Sequence, residues 1–223
     1  DRGQSHSRSK QATGSRQARK EKSKYMPVVK EREYRNVAAP LSAAAAVKQF
    51  NSDYYVEGYA TTFDTPYVLY EFEDGDKYYE KIDRHALDGA DLSDVIMQYD
   101  HTGRVYARNS NNTLKLTADT KGLLIAADLS KTELARGLYE DISAGMITKM
   151  SWAFTVAEDS YDRVTHTRTI LKIKKVYDVS AVSTPANDGT SIAARSYASG
   201  RREAEQRETL EKRAAMLRIL ATI

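Results

Sequence analysis

The sequence predicts a mostly-β chain with helices, an α+β fold in which strands outnumber helices. Three observations carry that expectation. About eight short segments are rich in β-branched and aromatic residues. Only one internal segment has a clear helical period with start and stop signals. No apolar run approaches the roughly 20 residues that span a bilayer, so this is a chain expected to fold in water and inside a cell. A barrel is one way for that many strands to enclose a core.

Taken in order, residues 1–25 hold eight Lys or Arg against Asp1 and Glu21, a net of +6. The whole chain is +3, which leaves −3 for residues 26–223. The basic balance belongs to a Ser-, Gln- and Arg-rich tail too poor in apolar residues to offset the entropy of ordering. Such a tail reaches nucleic acid only weakly, through charge, and reads equally well as a solvated leader. "MPVVKEREYR" from Met26 reads as a start, which makes residues 1–25 an added leader or upstream fusion. "NVAAPLSAAAAVKQF" (36–50) reads as a linker with a short alanine run able to form helix. The expected division is a basic tail and linker over 1–52, a domain over 53–196 and a C-terminal helix over 197–223.

Within the domain, "YYVEGYATT" (54–62), "KYYEKID" (77–83) and "VIMQY" (95–99) read as strands, with a brief helix or turn in "DRHALDGADLS". "TLKLTAD" (113–119) and "GLLIAADLS" (122–130) flank "TK" as a hairpin. Ser130 followed by Glu133 has the spacing of a capping box. Leu134, Leu138 and Ile142 then give one apolar stripe, and Gly145 tolerates the left-handed conformation that ends helices. The helix is expected over 131–144.

In "ITKMSWAFTVA" (147–157), Met150, Trp152, Phe154 and Val156 share one parity, and Ser151 falls on the other. Strand side chains alternate between faces, so the large residues bury themselves and leave Ser151 on a more open face. "HTRTILKIKKVYDVSAVS" (166–183) reads as two strands or one long bent one, closed by "TPAND". Beyond Gly200, Leu210, Ala214, Leu217 and Ala221 make a helical stripe that Met216, Leu220 and Ile223 widen. It would dock on its own domain or on a second subunit.

The chain has no cysteine, which removes thiolate chemistry and disulfides, and four histidines, which leave little for a metal site. No cofactor is expected. A serine nucleophile needs a base, and the base needs an orienting group. Ser151, His101 after the strand "VIMQYD", and Asp178 inside "KVYDVSAV" are candidates. Each also has a plainer reading: a strand serine, a surface histidine, a carboxylate paired with Lys174, Lys175 or an arginine. Arg104 and Arg108 are near His101 in sequence and could stabilise an oxyanion.

Four stretches in order, "YYVEGYATTFDTPY", "EKIDRHALDGADLSDVIMQYDHTGRVYARN", "LARGLYEDISAGMITKMSWAFTV" and "VYDVSAVSTPANDGTSIAAR", resemble the prohead protease family of tailed bacteriophages. The likeness spans about residues 54–195. It rests on Gly58 to Ala60, on His101, on Gly145 with Ser151 and Phe154, and on Asp178 to Val182 with Pro185, Ala186 and Asn187. The resemblance implies a serine endopeptidase that matures phage procapsids in the host cytoplasm, inside the assembling shell. Ser151 would be its nucleophile, His101 its general base and Asp178 its third member. Its implied substrates are the major capsid protein with its scaffold segment, and itself. A homo-oligomer is compatible with this, and no membrane partner is expected. The implied fold is a closed antiparallel β-barrel surrounded by helices, shared with herpesvirus assembly proteases. Those relatives use a second histidine as third member, which makes His166 the alternative to Asp178. The competing function is a non-catalytic capsid assembly or scaffolding adaptor.

Overall fold

The computed structural model describes residues 31–43, 48–183 and 188–221. The basic tail, most of the alanine run and residues 184–187 of "TPAND" lie outside the described residues. Ten strands and two α-helices occur among those described: β1 (Glu33–Pro40), β2 (Tyr55–Thr62), β3 (Tyr67–Glu71), β4 (Lys77–Ile82), β5 (Ile96–Tyr99), β6 (Thr102–Arg108), β7 (Leu114–Ala118), β8 (Gly122–Asp128), α1 (Glu133–Ser143), β9 (Lys149–Asp162), β10 (Thr167–Val182) and α2 (Asp188–Leu220).

The strands form two open sheets. The larger runs β1-β9-β10-β4-β3, and β5 also pairs with β10 and carries β6 on its far side. β10 is one long bent strand, the second of the two readings its sequence allowed. Its first half pairs in parallel with β4 (Ile170 with Ile82) and its second half with β5 (Ala181 with Tyr99). β9 lies antiparallel along its other edge, and four register shifts between the two supply the bend. The smaller sheet is the antiparallel order β2-β8-β7, with the expected hairpin joining β7 and β8.

Among the described residues the closed barrel is not formed. Closure needs the outer strands of a sheet to pair with each other. Here β10 divides one edge between β4 and β5, so the large sheet splits into two wings instead of curling back on itself. Isolated bridges, Ser42 with Glu57 and Phe63 with Ile82, are what reach across to the smaller sheet. The barrel expected through the herpesvirus likeness goes with it.

One core fills the space between the sheets and α1. It gathers Val56 and Ile125 from the small sheet, Met150, Trp152, Phe154 and Val179 from the large one, and Leu138 and Ile142 from the helix. Burying each such side chain stabilises the fold by about 1.5–3 kcal/mol.

α1 starts two residues later than the capping box implied. Its N-cap is Thr132, whose Oγ1 accepts the Ala135 N–H at 3.1 Å. The buried stripe is accordingly Ala135, Leu138 and Ile142, while Leu134 is exposed. Gly145 ends the helix as expected, at φ +72°. Its N–H bonds Ile142 O and the Met146 N–H bonds Asp141 O, the paired closure of a Schellman motif.

β1 corrects the reading of residues 36–50 as a linker, because Glu33–Pro40 is an edge strand paired with β9. α2 begins at Asp188, well before Gly200, and docks through its first half, where Ala194 and Ala198 are buried. Leu210, Met216 and Leu217 of its second half are exposed.

Candidate active site

β9 is held on both edges, by β1 and by β10, and the register decides which side chains meet. Ser151 stands opposite Asn36 of β1 and Ser180 of β10, and Ala153 opposite Asp178. Directly opposed residues in an antiparallel pair share a face. Ser151, Asp178 and Ser180 therefore project together, while Trp152, Phe154 and Val179 point to the core.

The expected alternation holds, but the expected open face does not. Ser151 has no exposed surface, and Asp178 and Ser180 are buried with it. A strand between two others is covered according to its neighbours, which parity alone does not reveal.

His101 arrives from the β5–β6 hairpin. Tyr99 pairs with Thr102, so Asp100 and His101 are the two turn residues, at φ +46° and +57°. Two left-handed positions in a two-residue loop are the type I′ pattern, whose twist matches the flanking strands. Neither residue is glycine, and a side chain in that conformation costs about 1–2 kcal/mol. The turn is held against β10. The Asp100 N–H donates to Ala181 O at 3.0 Å, and the Asp100 carboxylate accepts from Ser183 N–H and Oγ–H at 3.2 and 3.1 Å.

These elements bring His101, Ser151 and Asp178 into one line. His101 Nε2 lies 2.6 Å from Ser151 Oγ, and His101 Nδ1 lies 2.5 Å from Asp178 Oδ1. The Nδ1 proton donated to the carboxylate leaves the Nε2 lone pair facing the serine. Three groups to which the sequence reading gave no role complete the surroundings. Ser180 Oγ–H donates to Asp178 Oδ1 at 3.0 Å. The Arg35 carbonyl lies 3.0 Å from Ser151 Oγ as a second acceptor for its proton. The Tyr34 ring meets the imidazole edge-on at 4.8 Å. Only Ser180 left a signal, its i+2 spacing from Asp178 on one strand.

The other residues proposed from the sequence lie elsewhere. His166 stacks on Tyr78 at 4.7 Å and faces Asp76 and Glu205 at 3.3 and 3.6 Å. Lys175 pairs with Asp91 at 2.7 Å, not with Asp178. Arg108 makes two hydrogen bonds to Asp94, and Arg104 is exposed on β6. Gly58 and Ala60 belong to β2 of the smaller sheet, and Pro185, Ala186 and Asn187 fall outside the described residues.

Behind the site is a buried ionic cluster. Arg35 bonds Glu80 at 2.5 and 2.9 Å and Glu33 at 2.5 Å. Arg168 bonds Asp159 at 2.6 Å, Glu33 at 2.7 and 3.0 Å, and Glu80 at 3.0 Å. Tyr67 donates its hydroxyl to Glu80. Burial alone would raise the Glu80 carboxyl, but the Arg35 charge and its hydrogen bonds, with Arg168 behind, hold it at about 2. Burial, and then the Glu80 charge, push the Tyr67 phenol well above its ordinary value. The Arg168 guanidinium lies 4.4 Å from the Tyr197 ring of α2, which closes over the cluster. Because Glu33 and Arg35 belong to β1, the cluster fixes the strand whose carbonyl faces Ser151.

A hydroxyl, an imidazole and a carboxylate in this order can move a proton away from oxygen and return it. A protein-family model described as caudovirus prohead serine protease matches residues 43–203, most of the chain. β1 lies upstream of the matched stretch. No curated protein and no solved structure matches the chain.

Proposed function

The chain belongs to the caudovirus prohead serine protease family, a family of serine peptidases, and we propose that it cleaves the capsid protein and its scaffold segment inside the assembling procapsid. It also cuts itself. Ser151 is the nucleophile, His101 the general base and Asp178 the group that orients and charges the base. The observation that supports these roles is the pair of contacts on one imidazole, 2.6 Å to Ser151 and 2.5 Å to Asp178.

In the acylation step Ser151 Oγ bonds to the substrate carbonyl carbon while its proton passes to His101 Nε2. The imidazolium is stabilised by Asp178 across Nδ1. His101 then gives that proton to the departing amine nitrogen as the C–N bond breaks, leaving an ester on Ser151. A water repeats the sequence: His101 takes its proton, its oxygen attacks the ester carbon, and the proton returns to Ser151 as the acid leaves. The chain's own groups supply every proton transfer in that cycle.

Co-expression with the capsid subunit tests the proposal. Wild type yields a truncated capsid protein by intact mass, and Ser151→Ala lowers the rate by about 10³–10⁶-fold. Equal processing by both proteins, or none by either under assembling conditions, leaves the adaptor reading in its place.

A further inference from the structure

Asp178 is 3% exposed, and a carboxylate buried to that degree calls for hydrogen-bond donors. Its Oδ1 atom receives two of them. One is His101 Nδ1–H at 2.5 Å, and the other is the hydroxyl of Ser180 at 3.0 Å. An ionised carboxylate can only accept, so the Ser180 Oγ–H is the donor.

Ser180 is itself completely buried, and its backbone is fixed on both edges of β10. Across one edge it stands opposite Ser151, and across the other opposite Gln98 of β5. The hydroxyl thus sits on a rigid strand between the nucleophile's strand and the strand that leads to the histidine turn. Two residues from Asp178, it necessarily shares that residue's face. Nothing in the proton-transfer cycle needs a second serine here, yet its hydroxyl is directed at the oxygen that holds the base.

We propose that Ser180 is a positioning residue for the proteolytic reaction, setting the orientation of Asp178 and sharing its negative charge with His101. The proposal rests on the assignment of Ser151, His101 and Asp178 made above. Ser180 touches neither substrate nor the reacting oxygen. It acts on them through the carboxylate.

Two consequences separate this role from simple packing. Without the Ser180 donor, His101 faces the whole charge of Asp178. The imidazolium is then better stabilised, the base becomes harder to deprotonate, and the acid limb of activity moves to higher pH. Among the described residues, the groups facing the base are Asp178 from β10 and Tyr34 from β1, with the Ser151 hydroxyl from β9, and Asp100 beside it turned to Ser183. The effect also requires a charge to share. With Asp178→Asn in place, removal of the hydroxyl has nothing left to act on.

The experiment measures peptide cleavage by the full chain against pH for wild type, Ser180→Ala, Asp178→Asn, the double variant and Ser151→Ala. Ser→Ala removes one oxygen with almost no change of shape, and thermal unfolding verifies that each variant is folded. Ser180→Ala is expected to lower kcat about 10- to 100-fold with KM within about twofold, as a hydrogen bond to a charged group warrants. Its acid limb should rise by about half a pH unit or more. The double variant should match Asp178→Asn within about twofold. A Ser180→Ala profile that overlays wild type, or a penalty repeated in full in the Asp178→Asn background, overturns the positioning role while inactive Ser151→Ala leaves the protease assignment intact. Activity retained by Ser151→Ala would instead remove the assignment on which both stand.

Discussion

Replacing Glu80 by Gln removes one carboxylate from the cluster behind the active site and leaves its partners in place. Glu80 is fully buried and accepts from Arg35, Arg168 and Tyr67 at once. Its carboxyl lies at about 2 in the folded chain against an ordinary 4.5. At about 1.4 kcal/mol per pH unit, that difference is worth on the order of 3 kcal/mol of stability at neutral pH. Because the folded value is the lower one, the contribution is complete above about pH 4.5 and disappears as pH falls through about 2. At pH 2 only a small part of it remains. The stability gap between wild type and Glu80→Gln should therefore shrink by about 3 kcal/mol between pH 6 and pH 2. Urea titrations at a series of pH values measure it, followed through Trp152, the single tryptophan and a fully buried one. A gap that stays constant across that range, or widens as acid is added, refutes the view that charged Glu80 holds the cluster together.

His166→Ala should leave cleavage within about twofold of wild type, since His166 packs on Tyr78 between Asp76 and Glu205 and not beside Ser151. A loss greater than tenfold in the same capsid assay would return it to the site. Thr132→Ala should lower thermal stability by about 1 kcal/mol, the usual cost of losing an N-cap oxygen. An unchanged unfolding midpoint would mean that α1 is capped by Ser130 as its sequence first suggested.

What the sequence revealed follows from how local each signal is. β2, β4, β5 and the β7–β8 hairpin are short aromatic or β-branched runs between turn residues, and they occur where their pattern puts them. β10 shows its continuity in "TILKIKKVYDVSAV", where no turn residue interrupts the strand. β1 gave no such signal, because "EYRN" alternates charge with polarity and its buried face is ionic. The partners that make those charges tolerable lie far along the chain, Arg35 from Glu80 by 45 residues and Arg168 from Glu33 by 135. The same distance effect hid the cover over Ser151, which comes from β1 and from the histidine turn. Ser130 and Thr132 compete for one helix start, and the spacing to Glu133 favoured the wrong one. Barrel closure depends on how β10 shares its edge, which strand composition does not encode.

The order in which the chain leaves the ribosome bears on the way β9 is clasped. Ser151 emerges after the strand that lies along one side of it and well before Asp178 and β10, which lie along the other. Until that last strand is present, the histidine turn has no Ala181 or Ser183 to rest on and the imidazole has no carboxylate beside it. With the roles proposed above, an unfinished chain carries a serine without its base in place, and the three groups meet only in the completed fold. On the proposal that the chain also cuts itself, no such cut can precede the arrival of β10.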